Sequence, residues 1–484
     1  MVARVRPTVE AGGVTELHED RYFDPDPIVR RYARALYDET RALPIVSPHG
    51  HVDPAIIASD EPFRNPASLI ITPDHYILRM LYSRGVPLEW LGVEPIDGKP
   101  PGAEPNPRRI WQIFVQNWHL FRGTPTRAWL EYVLREVFGV QHELDSESAA
   151  LIYDTIAEQL QSPEFRPRAL FKRFNIEWLA TTDAASDTLE HHKTLRFIEL
   201  GGRVIPTFRP DALFRIAAPG WSAELARFEH VSGGTIGSYA ELVRAVTRRR
   251  ADFKALGATA TDHAVVVPRT ERLSDSEAER LFNKAGERAA TEEDQSRFES
   301  HLLMEMAHMS ADDGLVMQLH PGSLRDHNDV VYRRFGPDHG GDMPVATEFT
   351  RNLRPLLNAY GNDPRFRLIV FTLDESTYSR ELAPLAGHYP AMLLGAPWWF
   401  HDSIEGMTRF RQQVTETAGI ENTAGFTDDT RAFCSIPARH DLARRIDASY
   451  LGGLVARHVI STADASAMAR SLAYDLAKRA YKLA

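Results

Sequence analysis

The sequence has very little cysteine and no long apolar run. Cys434 is the single cysteine among 484 residues, so an intrachain disulfide and a zinc finger held by several thiolates are both excluded. No run of about 18 apolar residues occurs, which is the length that a membrane-spanning helix requires. The first twenty residues carry acidic side chains and no apolar stretch of signal-peptide length. These absences predict a cytoplasmic protein without a membrane span.

The sequence also lacks an excess of basic residues. It has 56 lysines and arginines against 66 acidic residues, for a net charge of −10. Broad binding to a phosphate backbone needs a basic face, so a nucleic-acid partner is not expected. An anionic small molecule is still compatible with this charge, because a few local arginines can hold a carboxylate inside an acidic protein.

What the sequence does contain is a series of short apolar runs that end in polar residues. These runs cover residues 43–51, 176–183, 203–211, 255–263, 315–322, 366–374, 390–400 and 421–431. Helical periodicity separates most of them, as in residues 189–200, 238–250, 294–310, 343–361 and 403–419. Buried parallel strands have this apolar character, and alternation with helices predicts an α/β fold. Eight such units predict a closed (β/α)8 TIM barrel.

One long segment interrupts the alternation. Residues 76–172 are helical in pattern and rich in aromatic side chains, and they contain an irregular segment rich in proline and glycine at 92–108. We therefore expect a helical insertion at 76–172 after the first strand. The barrel would comprise residues 43–75 and 173–484, with an N-terminal helical segment at 1–42 packed on it.

The ends of these runs carry residues that can bind metal. Active sites of such barrels lie at the carboxyl ends of the strands. His49 and His51 are two positions apart on an extended strand, so both imidazoles can face one metal ion. Asp429 ends the last run, which lies next to the first when the barrel closes. The three residues predict a site for a divalent metal.

Other polar residues recur at the same positions of the remaining runs. They are Arg209, Asp262, His320 with Arg325, Trp398, and Arg431, while Tyr76 follows soon after the histidine pair. Taken alone, each of these residues could have a purely structural role: an aspartate could cap a helix, an arginine could form an ion pair in a turn, and an aromatic ring could pack in the core. Asp183 is more often such a cap, and Asp374 is interpreted in that way. The joint pattern, however, favours one site.

The strings PHGHVDP, PDHY, PTFRPD, TDH, MQLHPGSLR and GFTDDTRAFCSIPARHD resemble the uronate isomerases, a family of the amidohydrolase superfamily. The resemblance runs from about residue 22 to the C-terminus and is most specific between PWWF and SIPARHD. It implies a barrel of the metal-dependent hydrolase type. The pair Ser47-Pro48 departs from the family, in which an aspartate often precedes the two histidines.

The resemblance also implies the chemistry. It implies an aldose–ketose isomerase that interconverts D-glucuronate with D-fructuronate, and D-galacturonate with D-tagaturonate, by enediol proton transfer in uronic acid catabolism. One divalent metal, zinc or manganese, is expected and no organic cofactor. The site prediction comprises metal ligands His49, His51 and Asp429, catalytic residues Asp429, Tyr76, His320 and Asp262, and substrate-binding residues Arg209, Arg325, Arg431 and Trp398. The partner is a small hexuronate, and we expect a homo-oligomer.

Two other functions remain open at this point. A hydrolase or decarboxylase of the same superfamily would use a metal-activated water, often with a bridging lysine. No lysine ends any of the predicted strands, and the abundant arginines favour a carboxylated sugar instead. A non-catalytic sugar-acid binding protein would need no set of acids, bases and metal-type histidines.

Overall fold

A computed structural model describes residues 16–484 of the chain. Its strands are β1 (Ile45–Ser47), β2 (Ile176–Ala180), β3 (Asp183–Ala184), β4 (Arg203–Ile205), β5 (Phe208–Arg209), β6 (Ala260–Val265), β7 (Val316–Pro321), β8 (Ser323–Leu324), β9 (Met343–Pro344), β10 (Leu368–Val370) and β11 (Met392–Leu394). Every predicted apolar run except the last contains at least one of them. The predicted strand at 255–263 begins only at Ala260, because the preceding helix extends to Ala255.

The larger sheets are parallel throughout. One has the strand order β1–β2–β4 and the other the order β11–β10–β7–β6–β5–β3. The chain joins the two sheets, because β2 leads into β3 and β4 leads into β5. Hydrogen bonds continue across both junctions: Thr181 N donates to Ile205 O at 3.0 Å, and Asp183 N donates to Thr207 O at 3.0 Å. The result is an α/β fold with parallel sheets.

The segment predicted as the last strand, residues 421–431, is not a regular strand. It makes one isolated parallel bridge, between Thr423 and Leu394. Farther along, the carbonyl of Thr430 accepts a hydrogen bond from His51 N at 2.9 Å. Gly425 and Asp429 have positive φ angles of 77° and 42°, which interrupt the extended conformation that a continuous ladder requires. The segment therefore contacts β11 at one end and the chain after β1 at the other.

Helices fill the chain between β1 and β2. They are Pro54–Ser59, Pro66–Ile70, His75–Tyr82, Pro107–Gln116, Pro125–Tyr132, Ala149–Gln159 and Pro167–Arg173. Four of them begin with a side-chain cap directly followed by proline, namely those capped by Asp53, Asn65, Asn106 and Thr124. The cap side chain accepts a hydrogen bond from a free backbone N–H, and proline fits the first helical position because it has no N–H to leave unpaired.

The other helices flank the strands. They are Pro27–Thr40, Glu190–Leu195, Asp211–Phe214, Trp221–Ser232, Tyr239–Ala255, Asp275–Gly286, Glu292–Asp313, Asp329–Phe335, Arg354–Tyr360, Ala383–Ala386, Ile404–Ala418, Ile436–Ala456, Thr462–Arg470 and Leu476–Ala480. None of the helices within residues 16–484 has both the length and the apolar character needed to cross a membrane. The helix predicted over 343–361 is wrong in its first half, where residues 343–344 form a strand. Residues 1–15 of the predicted N-terminal segment lie outside the described part of the chain.

One apolar cluster takes side chains from all eight predicted strand segments. Its members include Val46, Trp178, Ile205, Ala260, Val316, Ile369, Leu393 and Ala424. The C-terminal residues Ala477, Ala480, Tyr481 and Leu483 belong to the same cluster. Tyr481 is fully buried and its hydroxyl donates a hydrogen bond to Gln318 Oε1 at 2.9 Å. Side chains from all eight segments and from the C-terminal residues therefore pack into one apolar core.

Glu299, on the helix Glu292–Asp313, gives the fold a pH-dependent term. Burial raises the pKa of its carboxyl from 4.5 to about 7, although Arg215 opposes the shift. When the pKa of a carboxyl is higher in the folded than in the unfolded protein, its contribution to the free energy of unfolding is fully present below the unfolded pKa. That contribution is lost as the pH rises through the folded pKa. We expect Glu299→Gln to raise the free energy of unfolding by about 2 kcal/mol at about pH 8 and to change it little near pH 4.5.

Urea unfolding of both proteins at the two pH values measures this effect. Glu293→Gln is the matched control, because that side chain lies on the same helix with 72% of its surface exposed. The control should change stability little at either pH. An equal change for Glu299→Gln at both pH values would contradict the prediction.

Candidate active site

A cavity of about 420 Å³ opens where the parallel strands end. This volume lies within the range of about 300–1,000 Å³ that small-molecule sites usually occupy. Seven of the predicted site residues line it: His51, Tyr76, Arg209, Arg325, Trp398, Asp429 and Arg431. The remaining three, His49, Asp262 and His320, are buried, and contacts described below join each of them to a lining residue. All ten predicted residues therefore belong to one cavity and the residues in contact with its lining.

His49, His51 and Asp429 meet at the cavity wall. Asp429 Oδ1 lies 3.3 Å from His49 Nε2 and 3.1 Å from His51 Nε2. Burial alone would raise the pKa of Asp429, but the two imidazoles together hold that pKa well below its usual value. The carboxylate is therefore ionised, and its oxygen faces two ring nitrogens at once.

A second group of metal-type ligands shares His49. It consists of His49, Asp262 and His320, and each residue offers one ligand atom within 4.8 Å of the others. His320 Nδ1 lies 2.6 Å from Asp262 Oδ1, and Arg209 lies 3.6 Å from the other oxygen of Asp262. Burial opposes ionisation of Asp262, yet His320 and Arg209 lower its pKa well below the ordinary value.

The donor atoms in these groups suit a divalent cation. Asp429 Oδ1 and His320 Nε2 are buried and make no hydrogen bond within residues 16–484. Buried polar atoms normally have a hydrogen-bond partner, so a set of converging atoms without one requires an explanation. Two imidazoles and a carboxylate are the ligand types that zinc accepts. The residues present therefore fit a metal ion held by His49, His51 and Asp429.

The backbone around Asp429 is held in place by its neighbours. Asp429 has a left-handed backbone conformation, which is uncommon for residues other than glycine and is often found at functional sites. Asp428 Oδ2 lies 3.0 Å from His440 Nε2, and Arg439 donates to the carbonyl of Asp428 at 3.1 Å. These contacts come from the helix Ile436–Ala456 and fix the direction in which the Asp429 carboxylate points.

The three predicted arginines differ in how fully their charges are paired. Arg209 donates to Asp211 at 2.8 Å. Arg325 donates to Asp342 at 2.7 Å. The ion pair of Arg431 is longer, with 3.6 Å between its Nη2 and Asp338 Oδ2. Arg431 is therefore the arginine of the three whose guanidinium is most available to an anionic ligand.

Tyr76 and Trp398 form apolar parts of the wall. Tyr76 lies on the helix His75–Tyr82, and burial raises the pKa of its phenol above 10. It therefore stays protonated and can donate a hydrogen bond. Trp398 packs against His320 with ring centroids 4.8 Å apart. This contact helps to fix the orientation of the His320 imidazole.

Two aspartates with a predicted capping role behave differently from each other. The prediction is wrong for Asp183, which accepts from Thr181 Oγ1 at 2.7 Å and lies 3.1 Å from His192 Nε2. It is buried behind the strands and does not line the cavity. Asp374 does have a structural role, because it accepts from Ser376 N at 3.1 Å and from Thr347 N at 3.0 Å.

Several residues that line the cavity were not singled out from the sequence. Among them are His75, Asp338 and Arg439. His75 and Arg439 fall inside the strings PDHY and SIPARHD, so those strings were the available signal. Asp338 lies in a loop with three glycines between residues 336 and 341, and no periodicity there points to a site. Burial lowers the pKa of His75 to about 3, so this imidazole stays neutral.

Comparison with known proteins shows which family the chain resembles. The family model for glucuronate isomerase matches residues 25–481. The chain is 55% identical over 469 residues to a uronate isomerase of Nostoc punctiforme, covering 96% of this chain and 98% of that protein.

Solved structures give the same result. A glucuronate isomerase from Caulobacter crescentus superposes with a TM-score of 0.94 at 49% identity and covers 97% of each chain. A uronate isomerase from Thermotoga maritima superposes with a TM-score of 0.90 at 26% identity, covering 96% of this chain and 100% of that one. Because the family model and these relatives span nearly the whole sequence, the chain belongs to the glucuronate isomerase family.

Proposed function

We propose that the protein converts an aldohexuronate, D-glucuronate or D-galacturonate, into its 2-keto isomer. The observation that carries this proposal is the convergence of His49, His51 and Asp429 on one cavity that also contains arginines. The two histidines and Asp429 could act on C1 and C2 of the sugar, and the arginines could bind its carboxylate. The Caulobacter crescentus and Nostoc punctiforme relatives are named for this type of activity.

We further propose that the parallel strands close into an eight-stranded barrel. Each predicted segment pairs with the next along the chain, and the hydrogen bond from His51 N to Thr430 O supports a contact between the last segment and the first. The single inner cluster with members from all eight segments also supports closure. Closure would bring Asp429, from the last segment, to the histidines of the first.

The reaction moves one proton from C2 to C1 of the open-chain sugar. Removal of the C2 proton gives an enediolate, the O2 hydroxyl becomes the ketone as its proton leaves, and C1 with its aldehyde oxygen gains two protons to become an alcohol. The Asp429 carboxylate is the proposed acceptor of the C2 proton, since its low pKa keeps it ionised. Tyr76 stays protonated and is the proposed hydrogen-bond donor to a sugar oxygen.

A divalent metal fits the same scheme. Bound by His49, His51 and Asp429, it would supply positive charge near the sugar oxygens on which negative charge develops. The described side chains have their own part in this step. Asp262 holds His320 at 2.6 Å and thereby orients the imidazole, while Arg209 adds a positive charge next to that pair. Positioned donors of this kind often make the largest contribution to catalysis.

The direct test incubates the purified protein with D-glucuronate or D-galacturonate, with and without added zinc or manganese. The expected result is formation of the corresponding ketouronate, detected by proton NMR. The alternative function, a metal-dependent hydrolase or decarboxylase, predicts instead no ketose together with cleavage of a lactone or amide or release of carbon dioxide. That outcome would overturn the proposal.

Arg431 is expected to bind the sugar carboxylate. Replacing it with methionine should lower kcat/KM for D-glucuronate about 10- to 100-fold, mostly through KM, because hydrogen bonds between charged groups contribute about 1.5–3 kcal/mol. The kcat/KM of Arg431→Lys should lie between those of the wild-type protein and Arg431→Met, since lysine keeps the charge but loses the paired donors. Steady-state kinetics over a range of substrate concentrations measures both constants.

A matched control is available on the protein surface. Arg333→Met removes a guanidinium whose side chain is 71% exposed and does not line the cavity. This variant should have wild-type kinetics. If Arg431→Met also had wild-type kinetics, Arg431 would have no part in carboxylate binding.

A further inference from the structure

A long connection between two short antiparallel strands brings a carboxylate into the cavity. β8 and β9 pair antiparallel, with Leu324 opposite Met343. The chain between them carries the helix Asp329–Phe335 and then a turn that contains Asp338. Asp342 fixes the base of this excursion, since its Oδ1 accepts from Asp326 N at 2.8 Å and its Oδ2 from Arg325 at 2.7 Å. These two contacts hold the base in place, and the turn that follows the helix places Asp338 at the cavity.

The turn itself packs closely on the helix that carries Tyr76. A Cβ at Gly340 would lie 2.6 Å from Arg79 Cβ and 2.9 Å from His75 O, so only glycine fits this contact. Asp338 has a φ of 67°, in the left-handed region that aspartate and asparagine enter more readily than most residues. Its backbone is thus in a rare conformation, and its side chain remains 52% exposed.

The Asp338 carboxylate faces two of the arginines assigned to substrate binding. Its Oδ2 lies 3.6 Å from Arg431 Nη2, and its Oδ1 lies 3.9 Å from Arg325 Nη1. Partial burial opposes ionisation of Asp338, but the two arginines lower its pKa below the ordinary value. Both distances exceed that of a hydrogen bond, so the carboxylate pairs with these guanidinium groups through charge alone.

The other arginines at the site have shorter partners. Arg325 is held by Asp342 at 2.7 Å and Arg209 by Asp211 at 2.8 Å. Within residues 16–484, the single carboxylate within ion-pair distance of Arg431 is that of Asp338. A second carboxylate that binds Arg431 must therefore compete with the charge of Asp338.

We propose that the Asp338 carboxylate competes with the sugar-acid carboxylate for Arg431 and Arg325 and thereby limits how tightly an acidic sugar binds. The inference rests on the proposed function, because it requires a carboxylated sugar in this cavity. A ligand with its own carboxylate replaces the long ion pairs with direct hydrogen bonds to Arg431. A neutral sugar of the same size has no carboxylate to bind Arg431, so the Asp338 carboxylate keeps its ion pairs with the two arginines. Asp338 thus lowers the affinity for acidic sugars and does not lower the affinity for neutral ones.

The test compares the wild-type protein with Asp338→Asn. Asparagine has nearly the same shape and also tolerates the left-handed backbone, so the substitution removes mainly the charge. Calorimetric titration with D-gluconate, which has a carboxylate but no aldehyde, measures binding without turnover. We expect Asp338→Asn to bind D-gluconate about two- to fivefold more tightly at low salt, the range for a half-exposed ion pair. The gain should shrink as salt is added.

Two comparisons isolate the charge effect. D-glucitol has the same carbon chain without the carboxylate, and Asp338→Asn should not increase its affinity. Asp329→Asn removes a charge from a side chain of the same excursion that is 81% exposed and does not line the cavity, and it should leave D-gluconate binding unchanged. Equal or weaker binding of D-gluconate to Asp338→Asn would overturn this inference alone. No binding of D-gluconate to either protein would overturn both the inference and the proposed carboxylate site.

Discussion

Replacing Asp429 with asparagine is expected to lower kcat for D-glucuronate by about 10²- to 10⁴-fold. This is the range that a positioned general base contributes. Asparagine cannot accept the C2 proton, and its amide is also a poorer metal ligand than a carboxylate. The change should leave the fold intact, because Asp429 lines the cavity and contacts the two histidines there, outside the apolar core. Single-turnover measurements at saturating substrate give the rate of the chemical step.

Two further measurements separate the possible causes of such a loss. Metal analysis of the purified variant reports whether zinc or manganese is still bound, and assays with added metal restore occupancy where it has fallen. Asp374→Asn is the control, since it changes the same residue type at a strand end outside the cavity. This control should lose some stability but keep its kcat. A near-normal rate for Asp429→Asn would show that Asp429 does not transfer the proton.

Arg439→Met is expected to destabilise the protein by about 3–5 kcal/mol, the usual cost of breaking a buried ion pair from one side. Arg439 is 2% exposed and donates to Asp402 Oδ2 at 2.6 Å. Its guanidinium also lies 3.7 Å from the centre of the Trp129 ring, a close cation–π contact. Burial already raises the pKa of Asp402 to about 7 despite Arg439. Without the arginine, this carboxyl would be left buried and unpaired. Urea unfolding measures the loss.

The double variant Arg439→Met with Asp402→Asn provides the internal control. Removing both charges leaves no unpaired ion, so the double variant should be more stable than Arg439→Met alone. Arg439→Lys keeps the charge but loses the planar contact with Trp129, so its stability should lie between those of the wild-type protein and Arg439→Met. If the single and double variants had equal stability, the ion pair with Asp402 would contribute nothing. Activity should fall as well, since Arg439 also holds the carbonyl next to Asp429.

The sequence was most informative where chemistry depends on position along a strand. The spacing of His49 and His51 predicted that both imidazoles face one point, and both lie within 3.3 Å of the same oxygen of Asp429. Parallel strands end at one edge of a sheet, so a polar residue after each apolar run predicts a shared cavity. The positions of His320 and Asp262, 2.6 Å apart, follow from the same rule.

The sequence was least informative where irregular backbone decides the result. The last strand was expected to be regular, but positive φ angles at Gly425 and Asp429 break it. Asp338 reaches the cavity from a turn whose path depends on close packing against Arg79. Arg439 comes from a helix that follows the strands, and no local pattern indicates which side of that helix faces the cavity. The homo-oligomer and the cytoplasmic location stay predictions.

The inner apolar cluster has a consequence for how this chain folds. Val46 and Tyr481 share that cluster although almost the whole sequence separates them. Contacts between such distant residues form slowly, because a long loop must close before they can be made. During synthesis, the apolar side chains of the early strands emerge from the ribosome long before Tyr481 can cover them. The nascent chain therefore carries exposed apolar surface throughout translation, and this interval is when chaperones would protect it most from aggregation.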